Sequence, residues 1–345
     1  MRVMLTGHRG YIGSVLAPIL QAAGHEVIGF DSGLFDRCAL DPMAAVPAIE
    51  RDLRDALASD LAGCEAVIHL AGLCNDPLGD LRPALTDEIN RSASLRLAEL
   101  AKRCGVARFV YASSCSVYGA AGDSWLDESA PFNPVTPYAV SKLEAERGLL
   151  ALMDDDFSPS FLRAGTAYGL SPMIRFDLVL NNLAAWAAAT GAIRLKSDGS
   201  AWRPLAHVED IAGAYRAVLE APRESVAGEA FNVGTTAENF RVRELAEILA
   251  SVFDCEIEFS GEASADIRCY RVACDKLTET LPGYRPRWTA QRGAEQLRDA
   301  LLAREIPVAA FEGARYQRLA HLKELMAQGA VDESLRWQMP VAAER

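Results

Sequence analysis

The sequence predicts an α/β protein built on a doubly wound parallel sheet, followed by a smaller C-terminal α+β lobe. Two observations predict it. In the first half, short apolar runs alternate with stretches of helical spacing, which is typical of right-handed βαβ units. After about residue 166 a helical stretch comes first and the order changes. We therefore expect one unit over 1–166 and a second over 167–345, with elements near 205–235 packing onto the first.

Apolar spacing and glycine stops predict the individual elements. In the first unit we expect strands at 2–7, 25–31, 48–52, 66–72, 108–114 and 158–165, and helices at 10–24, 87–104 and 138–153. In the second we expect helices at 176–191, 208–221 and 241–254, strands at 193–197, 230–234 and 256–260, a loop carrying Arg203 and Pro204, and a largely helical tail.

Composition excludes several classes of protein. The chain has 345 residues, half of them hydrophobic, so it is long enough for one large domain or two unequal lobes with real cores. A net charge of −12 argues against a nucleic-acid surface, which needs clustered positive charge. No membrane span or signal peptide is expected, and the eight cysteines contain no C-x-x-C pair. We expect a cytoplasmic protein with reduced thiols and no metal.

A glycine-rich stretch, TGHRGYIGS, joins the first strand to the first helix at residues 6–14. Gly7, Gly10 and Gly13 permit a tight turn and a close approach of the backbone to a diphosphate, which the helix N-terminus then attracts. This predicts a Rossmann-type dinucleotide site that includes Tyr11 and Ile12.

Two carboxylates are placed to bind the adenosine. Asp31 ends the second strand, where an acid hydrogen-bonds the ribose, and Asp52 and Leu53 follow the third strand near the expected adenine. Asp31 favours NAD, because a carboxylate repels a 2′-phosphate. Arg9, inside the loop, could pair with that phosphate and leaves NADP as the less favoured alternative.

A tyrosine and a lysine lie four residues apart in YAVSK, at positions 138 and 142. This spacing puts Tyr138 and Lys142 on one face of a helix. A lysine ammonium and a nicotinamide cation both stabilise phenolate, so that Tyr138 could take or give an alcohol proton.

Together these motifs, with HLAG at 69–72 and YASSCSVYG at 111–119, resemble the extended short-chain dehydrogenase/reductases. Within them the chain is similar to the NAD-dependent nucleotide-sugar epimerases and dehydratases, from residue 2 to about 290. The resemblance implies that Ser114 is the partner of Tyr138 at the sugar oxygen, with Ser113 as its rival, and that Lys142 holds the nicotinamide ribose. It further implies cofactor contacts by Leu70, Ala71 and Gly72, with Asn90 behind them.

The two positions after Ser114 bear on the reaction. In similar dehydratases they are Asp and Glu, whereas here they are Cys115 and Ser116. We interpret Cys115 as a core residue and Ser116 as a substrate contact. The pattern argues against dehydration.

The resemblance also implies a nucleotide-diphosphate sugar as substrate. Asn182, Arg203 and Arg268 match the residues that hold the diphosphate, with Arg271 as a rival to Arg268, and Thr166 stands where an Asn is expected. An epimerase acting at C4 is the first hypothesis. A one-way ketoreductase or dehydrogenase is the alternative, and a dehydratase or a non-catalytic dinucleotide sensor is less favoured. Apolar stripes on helices 87–104 and 138–153 predict a homodimer.

Overall fold

The structure, a computed structural model, describes residues 1–120, 122, 124–259 and 269–338. Its strands, in chain order, are β1 Arg2–Thr6, β2 Glu26–Asp31, β3 Ala48–Glu50, β4 Ala66–His69, β5 Arg108–Ser114, β6 Trp125–Leu126, β7 Ser158–Ala164, β8 Thr166–Tyr168, β9 Ala192–Leu195, β10 Trp202–His207, β11 Ala230–Val233, β12 Asn239–Arg241, β13 Glu256–Phe259 and β14 Arg271–Val272.

The helices of the described residues follow the same order. They are α1 Gly13–Ala22, α2 Asp76–Leu81, α3 Pro83–Asp87, α4 Ala93–Arg103, α5 Pro137–Ala151, α6 Val179–Thr190, α7 Val208–Glu220, α8 Arg223–Val226, α9 Val242–Phe253, α10 Asp275–Thr280, α11 Ala290–Leu302, α12 Val308–Phe311 and α13 Arg318–Ala327. A π-helical turn, Glu88–Ser92, joins α3 to α4, and a 3₁₀ turn, Cys115–Tyr118, follows β5.

The large sheet confirms the predicted fold class. Seven strands lie in the order β11-β7-β5-β4-β1-β2-β3, and every neighbouring pair is parallel. Both faces are covered, so successive residues of β1 enter different cores. Val3 and Leu5 pack with residues of α1 and α7, whereas Met4 packs with residues of α4 and α5. Full burial of each such side chain stabilises the fold by roughly 1.5–3 kcal/mol.

A buried ion pair fixes α5 against the sheet. The guanidinium of Arg163 on β7 donates to both carboxylate oxygens of Glu146 on α5, at 3.0 and 2.7 Å. The fork geometry of this pair sets the rotation of α5. The helix begins after Thr136, whose hydroxyl accepts the N–H of Ala139 at 3.2 Å. As a result Tyr138 and Lys142 lie at the carboxyl end of β5.

The segment that carries Arg203 is a strand and not the expected loop. Trp202–His207 forms β10, between β12 and β8 in a three-stranded sheet. Pro204, which favoured the loop, is the last residue of the antiparallel pairing with β12. A missing N–H costs least at the end of a ladder, so this strand tolerates the proline.

Candidate active site

A cavity of about 280 Å³ opens at the carboxyl ends of the parallel strands. It runs past β1 and β4, where the strand order reverses, and this is the place where open α/β sheets bind ligands. Of the predicted site residues it is lined by Gly7, Gly10, Tyr11, Ile12, Gly13, Asp31, Asp52, Leu53, Leu70, Ala71, Gly72, Ser114, Ser116, Tyr138, Lys142 and Thr166.

The glycine loop packs too closely for side chains. Gly7 has φ of 71°, and its N–H donates to Phe30 O at 2.8 Å. A Cβ on Gly13 would lie 2.1 Å from Gly7 O, which no side chain tolerates. No side chain caps Ile12, the residue before α1, among the described residues. The Ser14 N–H donates to Gly10 O at 3.0 Å and the Val15 N–H to Ile12 O at 3.1 Å. Within the described residues the N–H groups of Ile12 and Gly13 have no acceptor, so these two can bind an anion such as a dinucleotide diphosphate.

At the adenosine end, Asp31 is held by the backbone. Its carboxylate accepts the N–H of Arg9 at 3.1 Å and the N–H of Gly33 at 3.0 Å. The Arg9 guanidinium lies in a neighbouring cleft, paired with Asp36 at 2.8 Å and with Glu50 at 2.5 Å. Its side chain is thus occupied by Asp36 and Glu50, and these acids together with Asp31 would repel a 2′-phosphate. This arrangement fits NAD better than NADP.

Two further predicted cofactor residues have structural partners. Burial alone would raise the pKa of Asp52, but its hydrogen bonds to the side chain and N–H of Arg54 outweigh that effect and lower it. Asn90 is buried behind Gly72, where it accepts the N–H of Leu73 at 2.8 Å and donates to Ser141 Oγ at 3.1 Å. It therefore holds the cavity wall in place from behind.

Tyr138 and Lys142 face the cavity together, as the spacing predicts. Lys142 Nζ donates to Ala112 O at 2.7 Å and lies 5.9 Å from the centroid of the Tyr138 ring. Burial lowers the pKa of Lys142 to about 8. Burial also raises the pKa of Tyr138, with Cys74 adding to the rise and a hydrogen bond from Ser114 opposing it. Without a ligand the protein therefore favours the neutral phenol, and the phenolate expected from the sequence depends on a nicotinamide cation as well as on Lys142.

Serine hydroxyls at the end of β5 and in the turn after it line the cavity. Ser114 Oγ accepts the N–H of Ser116 at 3.1 Å, and Ser113 Oγ and Ser116 Oγ are buried with no hydrogen-bond partner among the described residues. Cys115 points the other way: it is fully buried, and its thiol donates to Arg163 O at 3.1 Å. Burial raises its pKa well above the usual value, so Cys115 is a core residue, as interpreted from the sequence.

Two predicted substrate residues are not among the described residues that line the cavity. Asn182 donates to Phe176 O at 2.8 Å and to Glu312 of the C-terminal tail at 2.9 Å. Arg203 lies on β10 and donates to Trp202 O at 2.7 Å. Arg268 lies outside the described residues, and its rival Arg271 stacks 4.8 Å from the Trp125 ring. The substrate roles expected for Asn182 and Arg203 stay predictions.

The sequence reasoning missed a charged group in the wall. Arg175 is buried and makes a double ion pair with Asp177, at 3.0 and 2.5 Å. Asn75 Nδ2 also donates to Asp177, from a backbone with φ of 135°. Arg318 of α13 lines the same wall. The Arg-Phe-Asp triplet at 175–177 was a local signal for the first pair, whereas nothing near Arg318 marks it.

Comparison with known proteins agrees with this site. A model of the NAD dependent epimerase/dehydratase family matches residues 3–234. UDP-glucose 4-epimerase of Bacillus subtilis is 27% identical over 328 residues, covering 86% of this chain and 94% of that protein. UDP-glucose 4-epimerase of Mycolicibacterium smegmatis is 29% identical over 308 residues, covering 85% of this chain and 96% of that protein. The solved structure of MoeE5 in complex with UDP-glucuronic acid and NAD has a TM-score of 0.77 and 28% identity, covering 89% of this chain and 100% of that chain.

Fold and site together define an extended short-chain dehydrogenase/reductase, which confirms the predicted class of enzyme. More particularly, the chain belongs to the NAD dependent epimerase/dehydratase family. In the described residues, no helix has the length and apolarity to cross a membrane, and no three His, Cys, Asp or Glu side chains cluster as metal ligands would.

Proposed function

We propose that the protein is an NAD-dependent nucleotide-sugar 4-epimerase. The observation that carries the proposal is the set of side chains around Tyr138: a hydroxyl on Ser114, an ammonium on Lys142, and no carboxylate at the two positions after Ser114. Such a set can move a proton at a hydroxyl but lacks the acids at these positions that dehydration would use. The relatives named UDP-glucose 4-epimerase make a UDP-sugar the first substrate to test.

The residues of this chain have separable tasks. Tyr138 takes the proton from the sugar hydroxyl at C4 and later returns it, while Ser114 holds the same oxygen. Lys142 binds the nicotinamide ribose, and its ammonium, together with the nicotinamide cation, would favour the phenolate form of Tyr138. NAD supplies a hydride acceptor that later gives the hydride back. The keto sugar must turn over between the two transfers, so binding through the distant diphosphate leaves the sugar free to rotate.

The test is interconversion of UDP-glucose and UDP-galactose by the purified enzyme, followed by proton NMR without added cofactor. We expect inversion at C4 only, and Tyr138→Phe should lower kcat by about 10²–10⁴ because the proton carrier is gone. Tyr284→Phe is the matched control, since that buried phenol donates to Asp210 O away from the cavity.

Two results would contradict the proposal. Loss of water from the sugar would indicate a dehydratase. Turnover that consumes added NADH stoichiometrically, read from its absorbance, would indicate a ketoreductase. A panel of dTDP-, GDP- and CDP-sugars in the same assay keeps the choice of base separate from the choice of reaction.

A further inference from the structure

A C-terminal segment, residues 315–338, forms one wall of the cofactor cavity. Trp337 Nε1 donates to Ser32 O at 2.7 Å, and Arg54 donates to Ser334 O at 2.8 Å. His321 Nε2 lies 3.1 Å from Leu34 O, and Leu335 lines the cavity. These contacts fall on the segment after β2 and on the turn after β3, which surround the adenosine end. The segment lies beyond residues 3–234, which the family model matches.

Arg318 is the buried cation of this wall. Its side chain is 5% exposed, and within the part of the chain that the structure describes Nη2 has no hydrogen-bond partner. The guanidinium lies 4.8 Å from the centroid of the Phe35 ring. An unpaired charge in such a place is costly unless a ligand pairs with it. Burial lowers the pKa of Arg318, and the nearby Arg175 lowers it further. Both effects disfavour the charged guanidinium.

The carboxylates of the wall do not neutralise Arg318. Asp177, the carboxylate whose charge acts on Arg318, is taken by the double ion pair with Arg175. The other acids of the wall accept hydrogen bonds elsewhere: Asp31 from backbone N–H groups, Asp52 from Arg54, and Asp76 from Thr136. Two guanidiniums against one carboxylate leave a surplus positive charge. A buried surplus of this kind is a site for an anion.

The neighbours of Arg318 identify which anion. Phe35 belongs to the segment after Asp31. Tyr11 lies in the glycine loop, and its hydroxyl interacts electrostatically with Arg318. Both neighbours are parts of the cofactor loop region, whereas Arg175, the other cation of this wall, also acts on Tyr138. We propose that Arg318 binds the diphosphate of the dinucleotide, completing from the C-terminal wall the anion site that residues 7–13 begin. The proposal rests on the dinucleotide site and not on the choice of sugar or reaction.

The experiment titrates NAD⁺ into nucleotide-free enzyme by calorimetry and compares Arg318→Met with the native protein. We expect the affinity for NAD⁺ to fall about 10- to 100-fold, because a charge-assisted contact is lost. The Tm of the nucleotide-free variant should be equal or higher, because a buried unpaired charge is removed. Lys323→Met, an exposed lysine on the same helix, is the matched control and should change neither quantity.

UDP is titrated in parallel, because a nucleotide sugar also carries a diphosphate. If Arg318→Met lowers the affinity for UDP and changes the affinity for NAD⁺ by less than twofold, Arg318 binds the substrate diphosphate and the proposal is wrong. A fall in both Tm and NAD⁺ affinity would indicate a structural role, and Arg318→Lys then decides: affinity regained with the charge supports the proposal, and affinity still lost overturns it. This experiment measures binding and Tm and not epimerisation. Its outcome therefore does not depend on whether the proposed function is correct.

Discussion

Ser113 and Ser114 end β5, Ser116 lies in the 3₁₀ turn after it, and the three side chains have different surroundings. Ser114 is hydrogen-bonded to Tyr138 and accepts the N–H of Ser116, whereas Ser113 Oγ is buried with no partner in the described ranges. The sequence left Ser113 and Ser114 as rivals. Proximity to the phenol favours Ser114 as the residue that holds the reacting oxygen.

Replacement of Ser114 tests that assignment. We expect Ser114→Ala to lower kcat by about 100-fold, because one donor to the developing charge is removed, with little change in NAD⁺ affinity. Ser113→Ala is the matched control on the same strand and should retain most of the activity. Steady-state kinetics on both variants test the assignment. A larger loss of kcat in Ser113→Ala than in Ser114→Ala would show that Ser113 holds the reacting oxygen.

Burial of Lys142 has a pH-dependent cost. Its pKa in the folded protein is about 8, below the ordinary value of a lysine. Below that pH both folded and unfolded chains carry the charge, and the folded state bears the full penalty. As pH rises through about 8, the folded protein loses the proton before the unfolded chain does, so the penalty is relieved and stability rises.

The measurement is the free energy of unfolding in urea of nucleotide-free enzyme from pH 7 to pH 9.5, compared between the native protein and Lys142→Met. We expect the native protein to gain stability relative to the variant as pH rises. The Lys323→Met variant controls for loss of a lysine on the surface and should show no such trend. A constant difference across this range would show that burial does not perturb Lys142.

At the level of elements, most bounds were predictable because they depend on local patterns. The predicted strand 108–114 and the observed β5 have the same bounds, and helix 138–153 differs from α5 by one residue at its start and two at its end. The stretch 87–104 was one predicted helix, but a π-helical turn, Glu88–Ser92, divides it. Strand β10 was missed because Pro204 is a strong local signal for a loop, and only its place at the end of a ladder makes it tolerable.

The site residues likewise fall into those that the sequence could predict and those that it could not. The glycine loop, Asp31, and the Tyr138–Lys142 pair were predictable because each is set by spacing along one element. The charged wall was not, because Arg318 meets Phe35 across more than half of the chain, and no local pattern records such a contact. The hydrogen bond of Asn182 to Glu312 of the tail was unpredictable for the same reason, since the two residues lie 130 positions apart. Tertiary contacts with the tail account for the difference.

For the whole molecule, the expected homodimer stays a prediction, and α5 offers the surface for it. Val140 and Leu150 on this helix are 43% and 48% exposed, and Met153 follows just beyond it at 40%. Apolar side chains of this size are costly to leave in water, and a second copy of the helix would cover them.

Light scattering at micromolar concentration measures this directly. We expect the mass of two chains for the native protein and of one chain for Leu150→Glu, because a charge would be buried in the interface. Leu302→Glu, which alters a residue 52% exposed on α11, is the matched control and should stay dimeric. A native protein with the mass of one chain would disprove the dimer.

The wall built by residues 315–338 also has a consequence for folding order. The bond from Trp337 to Ser32 spans 305 residues, so it closes one of the longest loops that this chain can form. Closing such a loop is entropically expensive, and contacts of high sequence separation form slowly. We therefore expect the parallel sheet and its glycine loop to assemble before the wall docks. The wall of residues 315–338 would then be the last part of the cofactor cavity to form, after the glycine loop opposite it is already in place.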